Sequence, residues 1–216
     1  MEVVRMKSII ETYKRKLTWP IIQATSSSTY YCETDPVNKQ HTLYIPTHPD
    51  EFADVQLFHE IVHLLFAEKY HYLFSTSYFA RGTPQYLLQI TAPIFRAAQD
   101  WFINAVVYRE MPEEAKKEAE VTLKMLLPTL MSPQLLPVVT GGLAVAELKR
   151  YANLDISHPL LSSVASAFLA VDPDTPTLGN LRALVNELLG LIRINGKRMK
   201  VEIVAEGIEV WKFAEG

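Results

Sequence analysis

Two histidines and a glutamate form the most chemically informative pattern in the chain. The segment His59-Glu60-Ile61-Val62-His63 places two imidazoles four residues apart. On a helix this spacing brings both rings to one face, where they can bind a single Zn²⁺. Glu60, beside the first histidine, is then placed to take a proton from water at the metal. A shuffled chain of this composition contains the pattern in about one case in eighty, so the match is informative.

The residues around this motif indicate a buried helix. Apolar side chains fill nearly every side of the segment 52–66. Its polar residues stand at helical spacings and form one narrow stripe, namely Gln56, His59, Glu60 and His63. Buried imidazoles and a buried carboxylate must be satisfied, because an unpaired buried charge is costly. A metal ion satisfies all three groups together, and the alternative is a hydrogen-bonded core cluster of Glu60 with the histidines.

A catalytic zinc site needs a third protein ligand, with the fourth position left for water. The acidic candidates that follow the motif are Glu68, Asp100 and Glu110. Glu68 comes five residues after His63 and therefore points to another face of the same helix. Asp100 is the favoured ligand and Glu110 is the alternative.

Asp100 lies in a polar stripe on an otherwise apolar helix, with Arg96 and Asn104 one turn to either side. We expect Asn104 or Arg96 to orient the metal-bound carboxylate by hydrogen bonding. The competing interpretation is an ordinary ion pair of Arg96 with Asp100 on a helix surface, worth about a few tenths of a kcal/mol.

The motif, on a helix that follows a short hairpin, resembles that of the zincin-like metallopeptidases. The later segment Ala98–Asn104 is similar to the Ala-Ala-Asp-aromatic-x-Ile-Asn stretch of the predicted metallopeptidases found beside von Willebrand A-type domains. The resemblance covers about Thr42 to Tyr108 and implies that Asp100 is the third zinc ligand. Arg96 stands where that group usually has asparagine, and the chain from Glu113 onward matches nothing in the group.

These residues together predict a zinc-dependent peptidase, a hydrolase in which Glu60 is the general base. The resemblance also implies that an extended peptide or protein substrate adds to the edge of a strand at His41–Ile45. The alternative function is a non-catalytic scaffold, zincin-like or simply helical, that acts in protein–protein interaction through its C-terminal half.

The elements that position the motif give an α+β fold class that is mostly helical. The periodicity predicts a zincin-like metal helix after a small β-hairpin, followed by a helical C-terminal half. One domain is expected, with a catalytic core over about 20–112 and a helical extension over about 113–216. The predicted elements are a helix to residue 17, strands at Ser28–Glu33 and His41–Ile45, helices at 49–70 and 84–111 with Pro93 as a kink or break, three or four helices over 113–194, and a hairpin at 200–213.

Several other polar residues favour structural interpretations. His41 and His48 are expected at the surface, and Cys32 is expected to be a small buried residue. His71 and Arg81 are weaker candidates for a hydrogen bond to a reaction intermediate or to a substrate carboxylate.

Composition limits the classes of partner. The chain has 216 residues, 49% of them hydrophobic, and a net charge of −3. This composition excludes global disorder and argues against nucleic-acid or membrane partners. A single cysteine requires no oxidising compartment, and the N-terminal segment has no apolar signal, so the sequence predicts a cytoplasmic protein of undetermined oligomeric state.

Overall fold

The computed structural model describes residues 2–131 and 134–216, and it shows a mixed α+β chain that is mostly helical. Within these ranges the α-helices are α1 (Glu2–Lys14), α2 (Ala53–Lys69), α3 (Gln85–Glu110), α4 (Pro112–Leu126), α5 (Leu135–Tyr151), α6 (Pro159–Leu169) and α7 (Leu178–Gly190). Short 3-10 helices are Tyr72–Phe74 and Leu127–Met131. The strands are β1 (Ile21–Ser26), β2 (Tyr31–Asp35), β3 (Gln40–Pro46), β4 (Met199–Ala205) and β5 (Glu209–Glu215). The predicted fold class, small sheet and helical C-terminal half are confirmed.

The chain divides into two compact units, and each unit contains two segments of the sequence. The first unit is Met1–Thr76 with Ile103–Ala115, and the second is Ser77–Phe102 with Lys116–Gly216. Helix α3 therefore contributes its first part to the second unit and its last part to the first. The expectation of one domain, with a catalytic core over about 20–112 and a helical extension over about 113–216, stays a prediction.

A three-stranded sheet precedes α2 in the first unit, in the order β1-β3-β2. The central strand β3 pairs with β1 in parallel and with β2 in antiparallel fashion. Because β3 is paired on both sides, the predicted addition of a substrate strand to its edge is wrong. The outer strands are β1 and β2. Strand β1 was not among the predicted strands, since its partner is about twenty residues further along the chain.

The core of the first unit lies between this sheet and α2. Cys32 of β2, Leu43 of β3 and Leu64 of α2 are buried in one hydrophobic cluster. Strand residues alternate between the two faces, so Cys32 and Thr34 are buried while Glu33 is exposed. The apolar sides of α2 explain why it forms this layer, and its predicted burial is confirmed by residues from Val55 to Ala67.

The second unit is built from the helices of the C-terminal half and a terminal hairpin. Strands β4 and β5 pair in antiparallel register, which confirms the predicted hairpin. The chain at Phe79 adds a parallel bridge to Trp211 of β5. Helices α5 and α6 approach so closely that a Cβ at Gly142 would lie 2.3 Å from Val164 Cγ1. Pro93 lies inside α3, which continues through it.

None of the helices in the described ranges has the length and apolar character needed to cross a bilayer.

Candidate metal centre

Helix α2 brings together the three residues of the motif. One ligand atom from each of His59, Glu60 and His63 lies within 4.8 Å of the others. His63 is 1% exposed, Glu60 is 3% exposed, and His59 is partly buried. The two imidazole centroids are 4.6 Å apart with an interplanar angle of 65°. The helical spacing thus produces the convergence that the sequence predicts.

Hydrogen bonds to oxygen atoms fix the tautomer of both histidines. His63 Nδ1 lies 2.6 Å from the carbonyl oxygen of Phe74, and His59 Nδ1 lies 2.7 Å from Oδ1 of Asn104. Both oxygens can only accept, so each Nδ1 must carry the proton and donate. Each neutral ring then has its lone pair on Nε2.

The two Nε2 atoms face one another at 2.9 Å. Two lone pairs at this distance repel each other unless a proton or a metal cation lies between the nitrogens. Zinc binds imidazole nitrogen at about 2.0–2.1 Å, which places two such nitrogens about 3.3 Å apart in a tetrahedral site. A widening of a few tenths of an ångström would therefore accommodate the ion. The donor chemistry of the histidine pair, His59 and His63, fits zinc.

Asn104 has a contact that the sequence did not predict. Its amide oxygen accepts from His59, while the expectation that Asn104 or Arg96 orients Asp100 stays a prediction. Asp100 lies in the part of α3 that belongs to the second unit, where its Oδ1 is 3.4 Å from Arg96 Nε. The assignment of Asp100 as third ligand, with Arg96 beside it, stays a prediction.

The other two acidic candidates have contacts elsewhere in the first unit. Glu110 accepts a hydrogen bond of 2.9 Å from the hydroxyl of Tyr13 in α1. Burial and this neighbouring carboxylate raise the pKa of Tyr13. Glu68 lies on another face of α2, as its spacing predicts, and it binds His41 and the chain at Thr18.

His41 is a correction to the sequence analysis. It was expected at the surface, but it is 0% exposed. The alternation of β3 contained the signal, because His41 and the core residue Leu43 stand two positions apart and therefore share a face. His48 is exposed and Cys32 is buried, as predicted.

The sequence could not reveal the Phe74 carbonyl as a partner of His63, because every residue carries a carbonyl group.

The two weaker candidates for a contact with substrate, His71 and Arg81, have structural contacts. His71 accepts a hydrogen bond of 3.2 Å from the amide of Leu73 and caps the 3-10 helix. In the second unit the backbone amide of Arg81 donates to Glu206.

No family model, curated protein or solved structure matches this chain.

Proposed function

We propose that this chain is a zinc-dependent peptidase in which His59 and His63 hold the metal through Nε2. The observation that carries the proposal is the opposed orientation of the two rings. Each Nδ1 donates to an oxygen, and the two Nε2 atoms face each other at 2.9 Å. A divalent cation between these nitrogens would accept both lone pairs, and the pair would then be a binding site.

The chain's own groups hold the two ligands in orientation. Asn104 Oδ1 and the Phe74 carbonyl accept from the Nδ1 atoms, and such bonds make the opposite nitrogen a better metal donor. Asp100 is the proposed third ligand, as the resemblance to the metallopeptidases implies. It precedes Asn104 by one helical turn on α3, so the two residues share a helix face.

Glu60 is the proposed general base. It accepts the proton of the attacking water and delivers it to the leaving amine of a peptide or protein substrate. Its burial beside His59 holds the carboxylate close to the metal ligands. When bound, zinc supplies Lewis acidity that polarises the scissile carbonyl and lowers the pKa of water.

Zinc content and peptide hydrolysis test the proposal together. The chain is purified without chelator, its zinc is measured by atomic emission, and turnover is followed on a mixed peptide library. We expect one zinc per chain, and hydrolysis that a chelator abolishes and added zinc restores. For variants of the motif histidines the matched control is His48→Ala, because it removes an exposed histidine outside the motif.

The same measurement addresses the alternative of a non-catalytic scaffold. A chain that binds no zinc at micromolar concentration contradicts the proposed metal site. A chain that binds zinc and hydrolyses no peptide in the library favours the scaffold.

A further inference from the structure

A second cluster of an imidazole and a carboxylate is buried in the first unit and shares no residue with the motif. His41 Nε2 lies 3.0 Å from Glu68 Oε1, and His41 Nδ1 lies 3.0 Å from Thr34 Oγ1. Thr34 in turn contacts Ser75, with 2.9 Å between their hydroxyl oxygens. These four residues are named the His41 cluster. His41 and Thr34 are at most 1% exposed, so no substrate reaches them.

Glu68 anchors one end of the His41 cluster. Its carboxylate accepts from the backbone amides of Thr18, at 2.8 Å, and Trp19, at 3.0 Å. Burial raises the pKa of Glu68, but these donors and His41 outweigh it and hold the pKa below its usual value. The ring of Trp19 stacks on His41 with a centroid distance of 5.3 Å. The cluster therefore joins the segment before β1 to the end of α2.

Thr34 anchors the other end through the two residues that follow the 3-10 helix. Its hydroxyl contacts Ser75 Oγ, and its backbone amide donates to Thr76 Oγ1 at 2.8 Å. Cys32 Sγ is 3.5 Å from the same Ser75 hydroxyl. Residues 75 and 76 are thus fastened to β2 by both side-chain and backbone groups.

Ser75 is bonded directly to the residue that holds His63. The carbonyl of Phe74 and the amide of Ser75 lie in one rigid peptide plane. The Ser75 amide donates to Tyr72 O at 3.0 Å, and its side chain is held by Thr34. Fixing Ser75 therefore fixes the direction of the Phe74 carbonyl, which accepts from His63 Nδ1 at 2.6 Å.

We infer that the His41 cluster positions His63 for metal binding through the Phe74–Ser75 peptide plane. The inference rests on the proposed function, since it presupposes that the histidine pair binds zinc. Thr34, His41 and Ser75 are positioning residues, because they act only through the carbonyl of Phe74. Loss of an outer partner of a metal ligand lowers metal affinity by about 10–100-fold. Thr34 contacts the partner of His63 and not His63 itself. We therefore expect the loss of its hydroxyl to lower zinc affinity about tenfold, the lower end of that range.

Thr34→Val is the variant that tests the inference, because it removes the hydroxyl and keeps the shape. Tyr44→Phe is the matched control. It also removes a hydroxyl bond between β2 and β3, that of Tyr44 to Glu33 at 2.9 Å, but on the opposite face of the sheet. Thr34→Ser restores the hydroxyl and should restore affinity.

The readouts are Zn²⁺ affinity by chelator competition and the visible absorption spectrum of the Co²⁺-loaded chain. Both are measured far below the melting temperature, where every variant is fully folded. Under that condition a loss of global stability alone does not change the affinity, so a purely structural role leaves it unmoved.

We expect Thr34→Val to lose about tenfold in Zn²⁺ affinity and to shift the Co²⁺ spectrum, with Tyr44→Phe and Thr34→Ser close to the wild type. If Thr34→Val does not fold, Ser75→Ala takes its place, since it leaves the contact of Thr34 with His41 intact. Wild-type affinity in the folded variant overturns the positioning role while the proposed function stands. A wild-type chain that binds no Zn²⁺ overturns the proposed function, and this inference with it.

Discussion

Helix α2 contributes to two buried clusters of imidazole and carboxylate, and the clusters differ in how their donors are directed. In the His41 cluster the two ring nitrogens face a carboxylate and a hydroxyl. The carboxylate accepts from Nε2, and a hydroxyl can either accept from Nδ1 or donate to it, so each ring nitrogen has a complementary partner. The His41 cluster is therefore complete within the chain.

In the histidine pair each Nδ1 donates to an oxygen, and each Nε2 faces the Nε2 of the other ring at 2.9 Å. Acceptor faces acceptor, and only a proton or a cation reconciles them. Burial of polar residues therefore does not by itself distinguish a binding site from a structural cluster. The direction of donors and acceptors separates these two clusters, and it is what supports the proposed metal site.

The largest expected difference between the clusters is zinc binding itself. His63→Ala removes one of two opposed nitrogens, so we expect stoichiometric zinc to be lost and the melting temperature in zinc to fall. His41→Gln leaves the opposed nitrogens in place, so we expect it to retain one zinc with reduced affinity. Zinc content after dialysis is the measurement. Full zinc occupancy in His63→Ala would contradict the assignment.

The sequence predicted the convergence of the histidine pair because both residues lie within one turn of the same helix. Two histidines at i and i+4 converge on any helix, and the apolar residues around them predict the helix. The His41 cluster depends on pairings that local patterns do not specify. Thr34 meets His41 through the register of β2 against β3, and Glu68 reaches them from α2. His41 was expected at the surface; its alternation with Leu43 could have indicated that it faces the core, but not which residues it meets there.

The second prediction concerns the third ligand. Asp100→Ala should weaken zinc affinity by more than about 10²-fold, beyond the range for an outer partner, because it removes the proposed direct bond to the metal. Glu110→Ala removes the partner of the Tyr13 hydroxyl and should lower stability with little effect on affinity. Chelator competition on both variants is the measurement. A larger loss of zinc affinity in Glu110→Ala than in Asp100→Ala would make Glu110 the ligand and contradict the assignment of Asp100.

The third prediction compares the two glutamates of α2, Glu60 and Glu68. Glu60→Gln keeps the size of the side chain and removes the base, so hydrolysis should fall by at least about 10² at normal zinc content and melting temperature. Glu68→Gln removes a charge that receives several hydrogen bonds, so unfolding free energy should fall by about 1–3 kcal/mol. Zinc content, turnover and melting are measured on each. Undiminished turnover in Glu60→Gln would exclude the proposed mechanism.

The fold was predictable where chain neighbours pack together and not where distant segments pair. The β2–β3 hairpin has its turn signal in Asp35, whose side chain accepts from the amides of Val37 and Asn38. Strand β1 has no such signal, because its parallel partner β3 follows it in the chain only after β2. The pairing of β1 with β3 makes β3 the central strand of the sheet. Substrate addition at the β3 edge was therefore wrongly expected.

The smallest expected effect is the pH dependence of the stability that the His41 cluster contributes. Burial lowers the pKa of His41 from 6.5, and the neighbouring Glu68 only partly offsets this. The unfolded chain therefore binds a proton on His41 at a higher pH than the folded chain does. The stability that His41 contributes is present above about pH 6.5 and is lost as the pH falls through the folded pKa.

We therefore expect the unfolding free energy of the wild type to fall more between pH 7.5 and pH 5 than that of His41→Gln. The difference is bounded by about 1.4 kcal/mol per pH unit, the limit for one proton. Both proteins are unfolded by urea in the presence of a chelator, so that metal release does not contribute to the difference. Glu68, with its lowered pKa, stays ionised across this window. Equal pH slopes would mean that His41 binds its proton equally well in the folded and unfolded chain, which would contradict a lowered pKa of His41.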